Sequence, residues 1–125
     1  MNRQALTAAM AELASLEGLQ GCALVEAGSG LVWASYGDLA DAASLWEAAV
    51  DYWRLHERNR DHFEALGELR AAVMYHAAAI LTVMRCSPEP ELLLVAAGRY
   101  EAVDWRRLQQ LNRALRDRIA TRAMA

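Results

Sequence analysis

Hydrophobic residues cover a wide arc of residues 41–60, whose sequence is DAASLWEAAVDYWRLHERNR. The stretch lacks Gly and Pro and is rich in Ala, Leu, Glu and Arg, so it is predicted to form one long helix. At about 100° per residue, the apolar positions here and just before it form two adjoining arcs. The first arc contains Leu45, Ala48, Ala49, Tyr52 and Leu55, and the second contains Leu39, Ala43, Trp46, Val50 and Trp53.

Two apolar arcs are more than one core requires. A surface helix needs an apolar stripe only a little wider than about 100°. We therefore expect one arc to pack on the protein's own sheet and the other to pack on a second copy of the chain. The sheet-facing arc is already supplied by Leu45, Ala49 and Tyr52. This assigns Trp46 and Trp53 to the interface, where large aromatic side chains are typical anchors; the alternative, that both are core residues, remains open.

The same helix has one clearly polar stripe, which consists of Glu47, Asp51, Arg54 and Arg58. Asp51 and Arg54 are spaced i,i+3 and are expected to pair weakly. The stripe is either an ordinary solvated face or a partner-binding surface. In a dimer, two such stripes would flank the seam between the copies.

The rest of the chain alternates apolar runs with turn residues. Helices are predicted over residues 2–16 and 104–122, each with a narrow apolar stripe. Asp104 is the expected N-cap of the last helix, and Asp38 or Asp41 that of the long one. Strands are predicted over residues 21–26, 31–36, 68–75, 79–86 and 91–97. The last strand has no polar residue after Glu91, which predicts a central place in the sheet.

The predicted order is α-β-β-α-β-β-β-α, with an antiparallel meander after the middle helix. Five strands with helices on both faces give an α+β fold, a three-layer α/β/α sandwich around an antiparallel sheet. No internal repeat or linker interrupts the pattern. A single domain over residues 1–125 is therefore expected, which suits the chain's length.

Composition narrows the class of protein. The chain is 55% hydrophobic and 23% charged, with a net charge of -3, so it is globular and not a general nucleic-acid binder. No apolar run approaches the roughly 20 residues of a membrane span. The first residues form an amphipathic pattern that is unlike a signal peptide. We expect a cytoplasmic protein in which Cys22 and Cys86 are packed thiols.

No motif for catalysis or for a cofactor is present in the sequence. Gly28-Ser29-Gly30 has no following Lys and precedes a strand, so it is predicted to be a hairpin turn and not a phosphate-binding loop. His56 and His62 are six residues apart, which is not the spacing of helical metal ligands. The expectation is therefore a non-enzymatic protein with no catalytic residues, metal or cofactor.

Two stretches in this order resemble the roadblock / dynein light chain family. Residues 16–37, LEGLQGCALVEAGSGLVWASYG, match the family's helix end, short strand, glycine turn and returning strand. Residues 65–97 match its Leu-Gly-Glu-Leu leader followed by three strands. The chain departs from many members at His76-Ala77-Ala78, where the family often has glycine before the fourth strand.

The resemblance implies a profilin-like fold and a homodimer. Family members join the strand after the middle helix edge to edge and place their middle helices side by side. The implied interface adds Arg70, Ala72 and Met74 to Leu39, Ala43, Trp46, Val50 and Trp53.

The resemblance also implies a bacterial-type regulator or scaffold of a small Ras-like GTPase, acting as an activating partner or passively. The polar stripe is then the candidate GTPase-facing surface. Two alternatives remain open: a structural adaptor in a signalling or motility assembly without a GTPase, and a small-molecule sensor domain.

Overall fold

The computed structural model describes residues 3–39, 42–99 and 101–124. Within these residues the elements follow the predicted order. The helices are α1 (Arg3–Ala14), α2 (Ala42–Arg58) and α3 (Trp105–Met124), and the strands are β1 (Leu19–Glu26), β2 (Val32–Gly37), β3 (Ala71–Tyr75), β4 (Ile80–Pro88) and β5 (Glu91–Gly98). A 3-10 helix, Arg60–Leu66, connects α2 to β3.

The strands form one antiparallel sheet in the order β2-β1-β5-β4-β3. The prediction that β5 is central is confirmed, and its residues from Leu92 to Gly98 are all buried. Alternate β5 side chains enter two separate cores, because successive side chains of a strand point to opposite faces. Leu92 and Leu94 pack with α1 and α3, whereas Leu93 and Val95 pack with α2.

The predicted three-layer fold is therefore confirmed, with α2 on one face of the sheet and α1 and α3 on the other. Asp104 caps α3 as expected: its Oδ1 accepts a hydrogen bond from the backbone N–H of Arg107 at 3.0 Å. Asp38 continues the pairing of the first hairpin, because its N–H donates to the carbonyl of Gln20. Asp41, the other predicted cap of α2, lies outside the described residues.

The predicted boundary of β3 is wrong by three residues. The strand begins at Ala71 and not at residue 68, because Glu68 leaves the ladder and its carboxylate pairs with Arg85. The sequence before it, Arg60–Leu66, forms the 3-10 helix. This short β3 is the edge strand nearest to that helix.

The open end of the first hairpin, where β2 ends beside the start of β1, requires glycine at position 37. Gly37 has φ of 118° and lies opposite Gly21. A Cβ atom on Gly37 would overlap the Gln20 carbonyl oxygen and the Gly21 Cα. Both the backbone conformation and the close approach therefore exclude larger residues.

We expect Gly37→Ala to lower the free energy of unfolding by about 2 kcal/mol or more, through backbone strain and overlap. Gly28→Ala is the matched control, because no atom of the described residues lies within 4 Å of its added Cβ, and its effect should stay within about 0.5 kcal/mol. Urea denaturation measures both. Equal stability of the two variants would contradict the account.

Candidate functional site

The sheet-facing side of α2 consists of Trp46, Ala49, Val50 and Trp53, none more than 1% exposed. All four belong to the core between α2 and the sheet. The assignment of Trp46, Val50 and Trp53 to a dimer interface is therefore wrong, because they have no surface left for a second chain. The alternative, that both tryptophans are core residues, is correct.

Small residues on the sheet explain why the core takes the indoles. Ala23 and Ala97 lie in the same core cluster, and the Trp46 ring lies so close to Gly21 that an added Cβ would be 3.3 Å from it. Each indole N–H also has an acceptor. Trp46 Nε1 donates to Ser35 Oγ at 2.9 Å, and Trp53 Nε1 donates to Glu91 Oε1 at 3.3 Å. Two large rings thus fill this space without leaving a buried donor unpaired.

Leu39 and Ala43, which were also assigned to the dimer interface, do not lie beside β3 either. Leu39 is half-buried against the same core, beside Gly21 of β1. Ala43 is exposed, on the flank of α2 where Arg54 reaches the end of β1. Their location over the β1 side of the sheet separates them from β3, which forms the opposite edge.

The exposed apolar surface of α2 comes from the arc assigned to the core. Tyr52 is 54% exposed and Leu55 is 48% exposed, with Ala48 exposed and Leu45 half-buried beside them. These four residues, Leu45, Ala48, Tyr52 and Leu55, form what we name the α2 strip. The prediction that α2 has more apolar surface than its own core uses is confirmed, and Ala49 faces the sheet as predicted. Trp46, Val50 and Trp53, however, take the core positions that were predicted for Leu45 and Tyr52.

The α2 strip lies on the flank of the helix that faces β3. Arg54 marks the opposite flank, because its Nε and Nη2 donate to the carbonyl of Ala27, at the end of β1, at 3.0 and 2.9 Å. Tyr52 is about 200° from Arg54 around the helix. Near the end of α2, His56 lines a cleft together with Leu69, just before β3.

The apolar surface continues into the 3-10 helix. Phe63 stacks on His56 with ring centroids 5.0 Å apart and is 40% exposed, and Leu66 is 82% exposed. Neither residue was singled out by the sequence analysis. Their signal is weak, because single apolar residues in a connector are common on protein surfaces.

Strand β3 forms an open edge beside this surface. Among the described strands, β3 pairs with β4 alone, on one side. Ala72 and Met74 are half-buried against the α2-side core, Arg70 is exposed just before the strand, and Val73 and Tyr75 are exposed on the other face. Arg70, Ala72 and Met74 are thus together at the edge that the family resemblance assigns to the interface.

The predicted polar stripe is present on α2, but Arg54 has a different structural role from the other three residues. Glu47, Asp51 and Arg58 are exposed. Arg54 is bound to the Ala27 carbonyl and also forms an ion pair with Asp51 at 3.0 Å. Arg54 therefore fastens α2 to the first hairpin, which leaves the other three as the accessible part of the surface.

The cysteines lie in the core between the sheet and helices α1 and α3. Burial raises the pKa of the Cys22 thiol to about 11 and that of Cys86 to about 12, the latter partly offset by Arg116. Thiols held protonated in this way are poor nucleophiles. Among the described residues, no group of three or more His, Cys, Asp or Glu side chains is placed to hold a metal ion. The described helices include none with the length and apolarity needed to cross a membrane.

The fold defines the class of protein. No protein-family profile matches the chain, and no curated protein matches it in sequence. Its three-layer architecture nevertheless matches that of a Roadblock/LC7 domain from Streptomyces avermitilis. The TM-score is 0.76 at 20% identity, over 94% of this chain and 96% of that one. The resemblance drawn from the sequence is therefore confirmed at the level of fold.

Two structures of MglB are also similar. MglB from Myxococcus xanthus gives a TM-score of 0.76 at 15% identity, over 97% of this chain and 94% of that chain. A second MglB structure, described as having a tetrameric arrangement, gives 0.74 at 18% identity, over 96% of this chain and 90% of that one. At these identities the likeness establishes the roadblock fold alone.

Because Trp53 is buried and the adjacent Tyr52 is exposed, the same substitution should have different effects at the two positions. We expect Trp53→Glu to lower the free energy of unfolding by more than about 4 kcal/mol, because a carboxylate replaces a fully buried ring. A typical domain has only about 5–15 kcal/mol in total. Tyr52→Glu is the matched control and should retain cooperative urea unfolding, because Tyr52 is exposed. A Trp53→Glu protein that stays folded and only loses its partner would restore the original assignment.

Proposed function

We propose that the protein is a single-domain, non-enzymatic, cytoplasmic roadblock-type regulator or scaffold, which forms a homodimer and binds a small Ras-like GTPase. The observation that carries the dimer is the location of two unpartnered features on one side of the chain. The open edge of β3 and the α2 strip lie side by side, in a fold shared with Roadblock/LC7 domains.

A two-fold axis beside β3 would use both features at once. An isologous interface presents the same surface from each copy. Antiparallel pairing of β3 with a second β3 would satisfy the backbone groups of the open edge, which otherwise attract unwanted pairing. The same operation brings the two α2 strips together and buries Tyr52 and Leu55. The proposed seam thus consists of Arg70, Ala72 and Met74 with the α2 strip, and not with the tryptophans.

We expect Tyr52→Glu to be monomeric at concentrations where the parent is a dimer, because the seam would bury two opposed carboxylates. Light scattering on a size-exclusion column measures the mass. Ala43→Glu is the matched control, since it adds the same charge to the exposed opposite flank of α2, and it should remain dimeric. A monomeric Ala43→Glu with a dimeric Tyr52→Glu would move the seam to the β1 side of the helix.

The polar stripe is the proposed GTPase-facing surface. It lies on the flank of α2 opposite the α2 strip, so two stripes would flank the seam of the dimer. Glu47, Asp51 and Arg58 are exposed there, and alternating charges of both signs favour specific recognition over general attraction. In the proposed dimer the stripe lies close to the seam, so GTPase binding to the stripe would depend on dimerisation.

We expect Arg58→Glu to weaken capture of a Ras-like GTPase from the same genome at least about tenfold, because it reverses a charge at the contact. Arg54 is left intact because it fastens α2 to the first hairpin. Arg118→Glu, an equal charge reversal on α3, is the control and should bind normally. Biolayer interferometry with the GTPase loaded with GDP or a GTP analogue gives both affinities, and unchanged binding by Arg58→Glu would contradict the assignment.

A structural adaptor is the second candidate. It is favoured by the similarity to an MglB structure described as tetrameric and by the exposed Phe63 and Leu66, which extend the apolar surface beyond α2. A solution mass above that of a dimer, without capture of any GTPase, would support this candidate. Stimulated GTP hydrolysis by a bound GTPase would instead support an activating role.

A further inference from the structure

A second concave surface, at the β3–β4 end of the sheet beside α3, is lined by arginines from three separate segments of the chain. The cleft has a volume of about 600 Å³ and lies between α3 and the ends of β3 and β4. Arg70 precedes β3, Arg85 lies on β4, and Arg113 and Arg116 lie on α3. Among the described residues, the lining contains four arginines and a single acidic residue, Glu68.

The positive charge of this cleft is local. The whole chain has a net charge of -3, so the cluster is not part of a generally basic surface. Glu68 neutralises only Arg85, with which it forms an ion pair. Among the described residues, Arg70 and Arg113 have no acidic partner, and Arg116 is 47% exposed with only the adjacent Asp117 near it, at 3.9 Å.

Unpaired arginines at a concave surface favour a carboxylate- or phosphate-bearing ligand. The guanidinium group is planar, and its fixed donors match either oxyanion in a bidentate manner. Repulsion between arginines that share a cleft is relieved when an anion is bound between them. The cleft is thus suited to a ligand with more than one negative charge.

A buried polar atom in the wall favours a ligand that carries a hydrogen-bond donor. Asn112 Nδ2 donates to the carbonyl of Arg85 at 3.0 Å, which orients the amide, but Asn112 Oδ1 is buried without a donor among the described residues. A peptide backbone carries an N–H at every residue, so with a small movement of this side chain it can satisfy the amide oxygen. Arg85 is engaged on the α2 side, where its guanidinium lies over the Trp53 ring, 5.6 Å from the centroid, and pairs with Glu68.

The apolar part of the wall supports the same choice. Ala71, Met84 and Pro88 line the cleft between the arginines. An inorganic anion would gain nothing from these residues, whereas a peptide with apolar side chains would bury surface against them.

We infer that this cleft binds an acidic, extended segment of a partner protein, whose carboxylates pair with Arg113 and Arg116, while Arg70 at its rim belongs to the proposed dimer seam. The site is distinct from the polar stripe on α2, because Gln109, Asn112 and Arg113 place it on the α3 side of the sheet. The protein would then hold two partners on its two faces. Peptide binding at α3 and GTPase capture at α2 are tested by different residues, so either can fail alone.

The probe is a fluorescein-labelled peptide of alternating Glu and Leu, and the readout is fluorescence anisotropy with the full chain at low ionic strength. We expect saturable binding that Arg113→Gln weakens about tenfold, the loss of one charge-assisted hydrogen-bonded pair. Arg118→Gln removes an equal charge elsewhere on α3 and should change the affinity less than about twofold. Arg113 is exposed, so its variant should unfold at the parent's temperature.

The peptide of alternating Gln and Leu should not bind, since it keeps the shape and loses the charge. Four results would overturn the inference. The acidic peptide could fail to bind; Arg113→Gln and Arg118→Gln could weaken binding equally; the uncharged peptide could bind as well as the acidic one; or inorganic phosphate or phosphatidylserine vesicles could show the Arg113 dependence while the peptide does not. The last result would assign the cleft to a free anion or to a membrane surface.

Discussion

The two-sided burial of β5 is the constraint on which the rest of the molecule depends. A strand whose residues from Leu92 to Gly98 are all buried requires neighbouring strands on both edges and a helical layer on both faces. Its alternate side chains divide the interior into two cores, one with α1 and α3 and one with α2. This division places the candidate functional surfaces on opposite faces, with the polar stripe and the α2 strip on one and the arginine cleft towards the other.

The α2-side core then decides which part of α2 remains for partners. Because the sheet presents Ala23, Ala97 and Gly21 there, space remains for two indole rings, and Ser35 and Glu91 accept their N–H groups. Arg54 fixes the rotation of the helix by binding the Ala27 carbonyl. With the tryptophans turned inwards, Tyr52 and Leu55 are left exposed beside the open edge of β3. The inward packing of the two tryptophans thus supports both the fold and the proposed dimer.

The three proposed partner surfaces are of two kinds. The proposed seam is apolar and is completed by backbone pairing at β3, which suits a permanent contact between identical chains. The polar stripe and the arginine cleft are charged and exposed, which suits partners that exchange. An adaptor that binds one partner on each face of a shared sheet would need one permanent seam and two charged, exposed surfaces. Variants of single residues can separate the consequences of losing the seam, the stripe or the cleft.

The sequence alone determined the element order, the central place of β5, the cap at Asp104, the packed state of the cysteines and the surplus of apolar surface on α2. These features follow from local pattern: turn residues, strand apolarity and helical period are properties of neighbouring residues. Only the tertiary structure decided which arc of α2 faces the sheet, because that depends on the sizes of residues on β1 and β5 that are distant in the chain. The arginine cleft also required it, since Arg70, Arg85 and Arg113 belong to separate segments, and no pattern in the sequence indicates that the fold brings them together.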